Sequence, residues 1–379
     1  MSLYEQEHRI FQESLAKFSE QEIMPYVDSW EENFHYPSEI FSKLGKAGFL
    51  GILIDEQWGG VGGDYTLASA WCEQFGRIPA VGFTVGVNMH SLIVLPALQK
   101  YGTTEAKNTW LTRGVKGDAI GAYAFTEPDA GSDLTRVRTT AIDKGDYFEL
   151  TGSKIFITNG ERAHFVLVLA KTAPDLGYDG FSTFLVDTTS EGFSVARTLD
   201  KLGWHSSDTA ELVFEKVRVP KSMLLGELNK GWYQAMTSLE WERMMLTLGA
   251  IGGAKACLEK TVEYINQRTI FGKTVGSFGR NQELLARLYS KLIGGQALSH
   301  RCIRMLNSKM RCRKEVSLAK RNVCELAITI ANECLQLHGG YGYTTEFRPE
   351  RWLRDLRLNT IGGGASEVMA RVAAREILG

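Results

Sequence analysis

The chain has 379 residues, a formal net charge of −1, 44% hydrophobic residues and 23% charged residues. This length and composition are typical of a globular protein with a large core and more than one domain. The balanced charge excludes the basic field that attracts nucleic acid or an anionic membrane. No apolar run approaches the ~20 residues that span a bilayer, so we expect no membrane span.

The N-terminal segment and the cysteines bear on the cellular compartment. Residues 1–7 are acidic, so we expect neither a secretory signal nor an arginine-rich transit peptide. The six cysteines are spread through predicted helices without a Cys-x-x-Cys pair, which indicates reduced thiols in a cytosol-like compartment. Because the seven histidines are scattered as well, we predict no metal site.

The first part of the chain shows helical periodicity. Apolar residues such as Phe11, Leu15 and Phe18 recur at helical spacing, and a second helix opens near Pro37. Residues 51–64 then form a strand-like run followed by glycines. These glycines lack the spacing of a dinucleotide-binding loop and no βαβ unit follows, so we predict a glycine-rich turn. Helical spacing returns at residues 66–75 and 88–101.

The central part of the chain alternates apolar and polar residues, which is typical of strands. Glycine, aspartate and proline separate the alternating runs, so we predict a compact β domain between the helical regions. The predicted strands are residues 147–150, 165–170, 181–186, 193–196 and 211–214. A ligand pocket is favoured where such a domain meets its neighbours.

The last part of the chain has Pro349 as its only proline after Pro220, which favours long helices. We predict helices at about residues 232–267, 281–309, 314–337 and 366–378. The predicted fold class is therefore α+β. Its domains are an N-terminal helical domain at residues 1–118, a central β domain at 119–226 and a C-terminal helical bundle at 227–379.

Two segments of the predicted β domain carry polar and aromatic residues where strands end. They read AYAFTEPDAGSD at residues 122–133 and KIFITNG at residues 154–160. Their hydroxyls, a glycine that admits close backbone approach and a flat apolar ring suit a planar cofactor such as a flavin. Two ordinary strand-turn segments with capping residues fit the same pattern. The residues concerned are Thr126, Gly131, Ser132, Phe156 and Thr158.

The sequences TEPDAGSD and KIFITNG resemble the two flavin-contacting signatures of the acyl-CoA dehydrogenase family, and the similarity extends from Tyr4 to Ile377. The resemblance implies three domains, bound FAD and the α,β-desaturation of an acyl-CoA thioester. Desaturation requires a base for the α-proton, a hydride acceptor and donors for the thioester oxygen. The implied FAD contacts in this region are Tyr123, Phe125, Thr126, Gly131, Ser132, Phe156, Ile157 and Thr158.

The catalytic base is the point at which the sequence departs from most of the family. Gly363 stands where most members carry the glutamate that acts as the base, in the turn at residues 361–367. Isovaleryl- and long-chain-type members take the base from an earlier helix, and Glu242 occupies that position. The resemblance implies that Glu242 is the base and that the Gly363 N–H polarises the thioester. Glu242 and Arg243 also fit a solvated surface pair, although apolar residues surround them.

Further ligand contacts follow from the same resemblance. Arg268 is expected to pair with the FAD pyrophosphate of another protomer. The segment at residues 267–273 fits equally well as a helix end with a basic residue, and the segment at residues 336–342 as a helix end with a glycine cap. Gly279 and Ala365 depart from the family's usual glutamine and threonine. Other implied FAD contacts are Phe271, Gln336, Leu337, Gly339, Gly340, Ser366 and Glu367. Implied substrate contacts are Ser132, Glu240, Arg243 and Gly364.

A cofactor site shared between chains implies a homo-oligomer, and the family implies a homotetramer formed as a dimer of dimers. The implied electron acceptor is an electron-transfer flavoprotein, and the implied location is the cytoplasm of a bacterium or the mitochondrial matrix. A dioxygen-using flavin enzyme, an enzyme for carrier-protein-bound acyl groups and a non-catalytic scaffold remain alternatives. The length of the acyl group is open. Candidates for its pocket are Met89, Ser91, Leu92 and Leu95.

Overall fold

The computed structural model describes residues 3–379, so the first two residues of the acidic N-terminal segment lie outside the described part of the chain. Helices form both ends of the chain and a sheet lies between them, as the α+β prediction requires. The N-terminal helices are α1 Gln6–Glu22, α2 Val27–Glu32, α3 Glu39–Lys46, α4 Tyr65–Phe75, α5 Val81–Asn88, α6 Leu95–Tyr101, α7 Thr104–Ala106 and α8 Thr112–Lys116.

Helices α5 and α6 are joined without a break through the π-helical segment Met89–Val94. The span Val81–Tyr101 is long and apolar enough to cross a membrane, with a mean hydropathy of 1.6. The expectation from the sequence, that no apolar run approaches this length, overlooked it. However, 83% of its most apolar window is buried inside the protein. A buried helix can be apolar on every side, so this span is accounted for as a core helix.

The central sheet has eight strands in the order β6-β7-β3-β2-β4-β5-β8, and β1 pairs with β4. Most neighbours are antiparallel, while β4 runs parallel to β1 and β2. Strands β2 and β8 are additions to those that we predict, while β1 is the strand with which the first signature segment begins. The strands are β1 Gly121–Ala124, β2 Thr140–Asp143, β3 Tyr147–Thr158, β4 Phe165–Lys171, β5 Phe181–Asp187, β6 Phe193–Thr198, β7 Thr209–Pro220 and β8 Leu224–Leu225.

The C-terminal part is built around the longest helix, α9, whose middle is buried on most sides. A short hairpin of β9 Thr269–Ile270 and β10 Lys273–Thr274 follows it. The other helices pack against α9 or, in the case of the last one, against the helix Arg313–His338. The predicted long helices differ from the observed ones by two residues at most. The bundle consists of α9 Gly231–Gln267, α10 Gly279–Asn307, α11 Arg313–His338, α12 Pro349–Arg357 and α13 Ser366–Leu378.

The glycine-rich segment after α3 forms turns, as predicted, and its first part is not a strand. A Cβ at Gly60 would lie 2.0 Å from the carbonyl oxygen of Ile54, so close approach of the backbone explains this glycine. All six cysteines are free and buried.

Candidate active site

The two signature segments are joined directly. The backbone N–H of Ile155 donates to the carbonyl of Thr126 at 3.0 Å. The Thr126 hydroxyl in turn donates to the carbonyl of Ile155. The turn of the first segment is closed by a pair of backbone bonds between Glu127 and Ala130. The end of β1 and the middle of β3 therefore form one unit.

A buried ion pair locks this unit. Lys154, whose side chain is 0% exposed, donates to Glu127 Oε1 at 2.8 Å and to the carbonyl of Phe125 at 3.1 Å. Burial lowers the pKa of Lys154 to about 8, against the opposing effect of Glu127. Burial alone would raise the pKa of Glu127, but the charge and hydrogen bond of Lys154 hold that pKa below its ordinary value. Glu127 also accepts the backbone N–H groups of Arg138 and Thr139.

Phe156 is presented outward by an irregularity of β3. The register of β3 against β7 shifts between Lys154 and Ile157, and Phe156 has a φ of +64°. Its side chain is 65% exposed, which is unusual for a large aromatic residue held in a left-handed backbone conformation. Ile157 is instead buried in the core of the sheet, so only its backbone can reach a ligand. Thr158 is half-buried beside it.

The sheet meets helix α9 through two aromatic residues of the first signature. Tyr123 and Phe125 stack with ring centroids 3.9 Å apart. The Tyr123 hydroxyl lies 3.5 Å from the hydroxyl of Ser238 on α9. Burial raises the pKa of Tyr123, and the charge of Glu242 adds to this effect. Because Ser238 and Glu242 are one helical turn apart, they share one face of α9.

Glu242 and Gly363 lie together. A Cβ at Gly363 would lie 3.8 Å from Glu242 Oε1 and 2.6 Å from the side chain of Leu246, which follows Glu242 by one turn. Gly363 also has a φ of +62°, a conformation that suits glycine. The Glu242 side chain is half-buried, and burial raises its pKa, while Arg243 and Lys320 oppose this change. Glu242 and Arg243 are therefore not a solvated surface pair.

The turn that contains Gly363 is held by a lysine that sequence reasoning missed. The ammonium of Lys320 on α11 donates to the carbonyl of Gly362 at 2.7 Å and to the carbonyl of Gly364. These two bonds flank Gly363, so they fix the orientation of its peptide groups. Close by, Arg243 is 7% exposed and its Nε has no partner, and Ser366 Oγ is a second buried atom without one.

A cavity of about 100 Å³ lies between the three parts of the chain. It is bounded by Tyr123 and Phe125, by the face of α9 that carries Ser238, and by one face of the α5–α6 helix. Of the four residues predicted for an acyl pocket, only Leu92 lines this cavity. The Ser91 hydroxyl instead donates to the carbonyl of Leu50, on another face of the helix.

A second, wider cavity, of about 630 Å³, lies at the far end of the bundle. It brings together the predicted adenosine and pyrophosphate contacts Arg268, Gln336, Leu337, Gly339 and Gly340. Phe271 lies beside the same segment with 93% of its side chain exposed and a φ of +49°. Within one protomer this group therefore lines a cavity separate from the one that Tyr123 and Ser238 line.

The remaining predicted residues lie at the edges of these two sites. Gly131 and Ser132 are exposed in the first signature, and Glu240 is half-buried on α9. Gly364 has a φ of +105°, and a Cβ there would lie 3.6 Å from Arg243 Nε. Ser366 and Glu367 begin α13, where a helix N-terminus favours an anionic group.

These residues fit FAD. Two exposed aromatic side chains in left-handed backbone, Phe156 and Phe271, offer flat faces for an isoalloxazine ring and an adenine. Arg268 lines the second cavity together with Gly339 and Gly340, and a guanidinium beside open backbone suits a pyrophosphate. The unpartnered hydroxyl of Ser366 completes a donor set for a polar, planar cofactor.

Comparisons with known proteins agree with this arrangement. Family models described as the N-terminal, middle and C-terminal domains of acyl-CoA dehydrogenase match residues 5–118, 122–217 and 229–378. The long-chain specific acyl-CoA dehydrogenase of Rattus norvegicus mitochondria is 40% identical, over 99% of this chain and 87% of the rat protein. A 3-(aryl)acrylate reductase of Clostridium sporogenes is 36% identical, over 99% of both chains.

Solved structures give the same result. An acyl-CoA dehydrogenase from Geobacillus kaustophilus superimposes with a TM-score of 0.95 at 37% identity, covering 99% of this chain and 98% of that chain. A glutaryl-CoA dehydrogenase from Mycobacterium smegmatis in complex with FADH2 gives a TM-score of 0.93 at 32% identity, covering 99% and 95%.

The fold and site define a flavoprotein oxidoreductase that acts on CH–CH groups. The chain belongs to the acyl-CoA dehydrogenase family, and its cofactor is FAD.

Proposed function

We propose that this protein oxidises an acyl-CoA to the trans-2-enoyl-CoA, with Glu242 as the base that removes the α-proton. The observation that carries the proposal is the position of Glu242 Oε1, 3.8 Å from where a side chain at Gly363 would begin. The missing side chain leaves room for a carboxylate that arrives from another helix. The burial that raises the pKa of Glu242 makes it a stronger base than an exposed glutamate.

The other residues position and polarise the thioester. The N–H of Gly363 donates to the thioester oxygen and stabilises the charge that gathers there as the proton leaves. Lys320 keeps this N–H in place by holding the carbonyls on either side. Ser132, Glu240, Arg243 and Gly364 contact the remainder of the CoA substrate. Bound FAD supplies the acceptor for the β-hydride, and an electron-transfer flavoprotein is the proposed oxidant of the reduced enzyme.

The similarity to a reductase favours a second candidate, which is the reverse reaction on an enoyl-CoA. The same groups serve both directions, because Glu242 in its protonated form returns a proton to the α-carbon. The raised pKa of Glu242 makes that protonated form more accessible. The redox partner therefore decides the direction of the reaction.

The proposed dehydrogenation predicts that acyl-CoA bleaches the flavin absorption of the purified protein under anaerobic conditions. Added electron-transfer flavoprotein is expected to restore the colour, with the enoyl-CoA as product. Air alone is expected to restore the colour only slowly. Rapid recovery in air would instead indicate the alternative, a dioxygen-using enzyme. Bleaching by a carrier-protein thioester but not by acyl-CoA would contradict the CoA substrate, and a protein that binds no flavin would contradict the function.

We further propose that the active protein is a homotetramer, a dimer of dimers, in the cytoplasm of a bacterium or in the mitochondrial matrix. The separation of the two cavities within one protomer supports a shared site. The exposed aromatic residues beside Arg268 also support it, because they lie at the edge of the second cavity.

A mixing experiment tests the shared site. Arg268→Met is expected to lose FAD, and Glu242→Gln is expected to retain FAD but not to react, so each homo-oligomer is inactive. When the two are unfolded and reassembled together with FAD, a protomer with intact Glu242 meets a partner with intact Arg268. Activity is then expected to reappear in the mixture. A mixture as inactive as its components would show that each site is built from one chain.

A further inference from the structure

We infer that the acyl group of the substrate carries a hydroxyl. This hydroxyl is bound in the first cavity, which is lined by Ser238, one helical turn before Glu242, and not by Glu242 itself. The inference rests on the acyl-CoA substrate proposed above. It starts from the two walls of the first cavity, which differ in polarity. The wall from the α5–α6 helix is apolar at Leu92, Ile93, Pro96 and Ala97 and becomes polar at its end, at Lys100 and Tyr101. The wall from α9 presents Gln234, Thr237 and Ser238.

Most of the polar groups on the α9 wall already have partners inside the protein. The Thr237 hydroxyl lies 2.9 Å from the Tyr101 hydroxyl and donates to the carbonyl of Gln234. The Ser238 hydroxyl donates to the carbonyl of Ala235 at 3.0 Å. These two hydroxyl groups therefore need no hydrogen-bond partner from a ligand.

Two cavity-lining side chains are different, because each has a buried polar atom without a hydrogen-bond partner. These atoms are Thr183 Oγ1 and Gln234 Oε1. Thr183 is 4% exposed, so water from the surface does not reach it freely. An unpaired buried polar group is unfavourable, because it has lost its hydrogen bonds to water and gained none in return. Both residues are linked to Leu225, since Thr183 pairs with it in register and the Gln234 amide donates to its carbonyl.

The orientation of Gln234 defines the ligand chemistry. Its Nε2 donates to the carbonyl of Leu225 at 2.9 Å. A backbone carbonyl can only accept, so the amide nitrogen must face Leu225 and the free atom of Gln234 must be the acceptor Oε1. This acceptor requires a donor from the ligand. A carboxylate, a ketone and an alkyl chain have no such donor, and a cation would be costly to bury here.

A hydroxyl satisfies both free atoms at once. Its proton is donated to Gln234 Oε1, while its oxygen accepts the proton of Thr183 Oγ1. Gln234 precedes Glu242 by eight residues on α9, which places the two about 12 Å apart along the helix axis. The hydroxyl therefore sits near the distal end of an extended acyl chain, away from the carbons that react. The apolar wall opposite accommodates the methylene groups in between.

Matched pairs of acyl-CoAs test this inference. Each pair consists of a straight-chain acyl-CoA and its ω-hydroxy counterpart, in a series of increasing length. For the length that reaches Gln234, we expect the hydroxylated member to have a kcat/KM about tenfold higher or more in anaerobic flavin reduction. Equal values, or a preference for the plain chain at every length, would overturn the inference.

Binding to the Glu242→Gln holoenzyme separates this inference from the proposed reaction, because calorimetry reports the dissociation constants without turnover. Tighter binding of the hydroxylated member supports the hydroxyl site even if the native enzyme reduces its flavin with neither compound. Equal binding overturns the hydroxyl site even if both compounds are oxidised.

Two variants locate the preference. Thr183→Val and Gln234→Leu replace the free polar atoms with apolar groups of similar size, and each is expected to remove most of the preference for the hydroxylated chain. Thr237→Val is the matched control, since that hydroxyl is already paired, and it is expected to keep the preference. Loss of the preference in Thr237→Val alone would assign the site to a different residue and would overturn the inference.

Discussion

Replacement of Glu242 by glutamine is expected to slow flavin reduction by acyl-CoA by roughly two to four orders of magnitude, which is the usual contribution of a general base. Glutamine has nearly the same shape, so it fills the space beside Gly363 but cannot accept the α-proton. FAD content and the oligomeric state are expected to stay the same. Stopped-flow absorbance of the flavin under anaerobic conditions measures the effect.

The control for this prediction lies on the same helix. Glu263→Gln alters an exposed glutamate that pairs with Lys260 at 2.9 Å, and it is expected to leave the rate of reduction as it is. If Glu242→Gln reduced its flavin as fast as the parent protein, the assignment of the base would be wrong.

The pH dependence gives an independent test of Glu242. Because the reaction needs the carboxylate, the rate is expected to rise with pH, with a midpoint above the ordinary glutamate pKa of 4.5. The folded state holds the proton of Glu242 more tightly than the unfolded state does. The contribution of this group to the free energy of unfolding therefore falls as pH rises through the folded pKa. Glu242→Gln therefore is expected to melt at a higher temperature than the parent at neutral pH and to lose the pH dependence of the rate.

Replacement of Lys154 by methionine is expected to lower the free energy of unfolding by about 3–5 kcal/mol, the usual cost of breaking a buried ion pair. The variant leaves the carboxylate of Glu127 buried without its counter-ion, and it removes the bond to the carbonyl of Phe125. Since these groups join the two signature segments, loss of FAD is expected at temperatures where the fold survives. Thermal unfolding and the flavin content after gel filtration measure both effects.

Two further variants make this prediction specific. Lys144→Met breaks a partly exposed pair with Glu149, and we expect a cost below about 1 kcal/mol. The double variant Glu127→Gln/Lys154→Met removes both buried charges and is expected to recover part of the lost stability. If Lys154→Met were no more destabilising than Lys144→Met, the buried pair would not hold the signatures together.

Local sequence patterns were sufficient for the elements that depend on neighbouring residues. Helical periodicity located the long bundle helices, with α13 beginning at Ser366 as predicted, and alternation located five strands. The short strands β2 and β8 and helix α12 are absent from the predicted elements. Short elements carry little periodicity, and their pairing partners decide whether they form.

The site divides in the same way. The candidate residue types follow from the amino-acid sequence, which has a glycine at position 363, a glutamate at position 242 and the signatures that relate the chain to its family. Long-range packing, by contrast, brings Glu242 Oε1 near Gly363, places Lys320 on a carbonyl of the turn and pairs Lys154 with Glu127. Contacts between residues distant in the chain leave no local pattern, because helix and sheet packing alone brings them together.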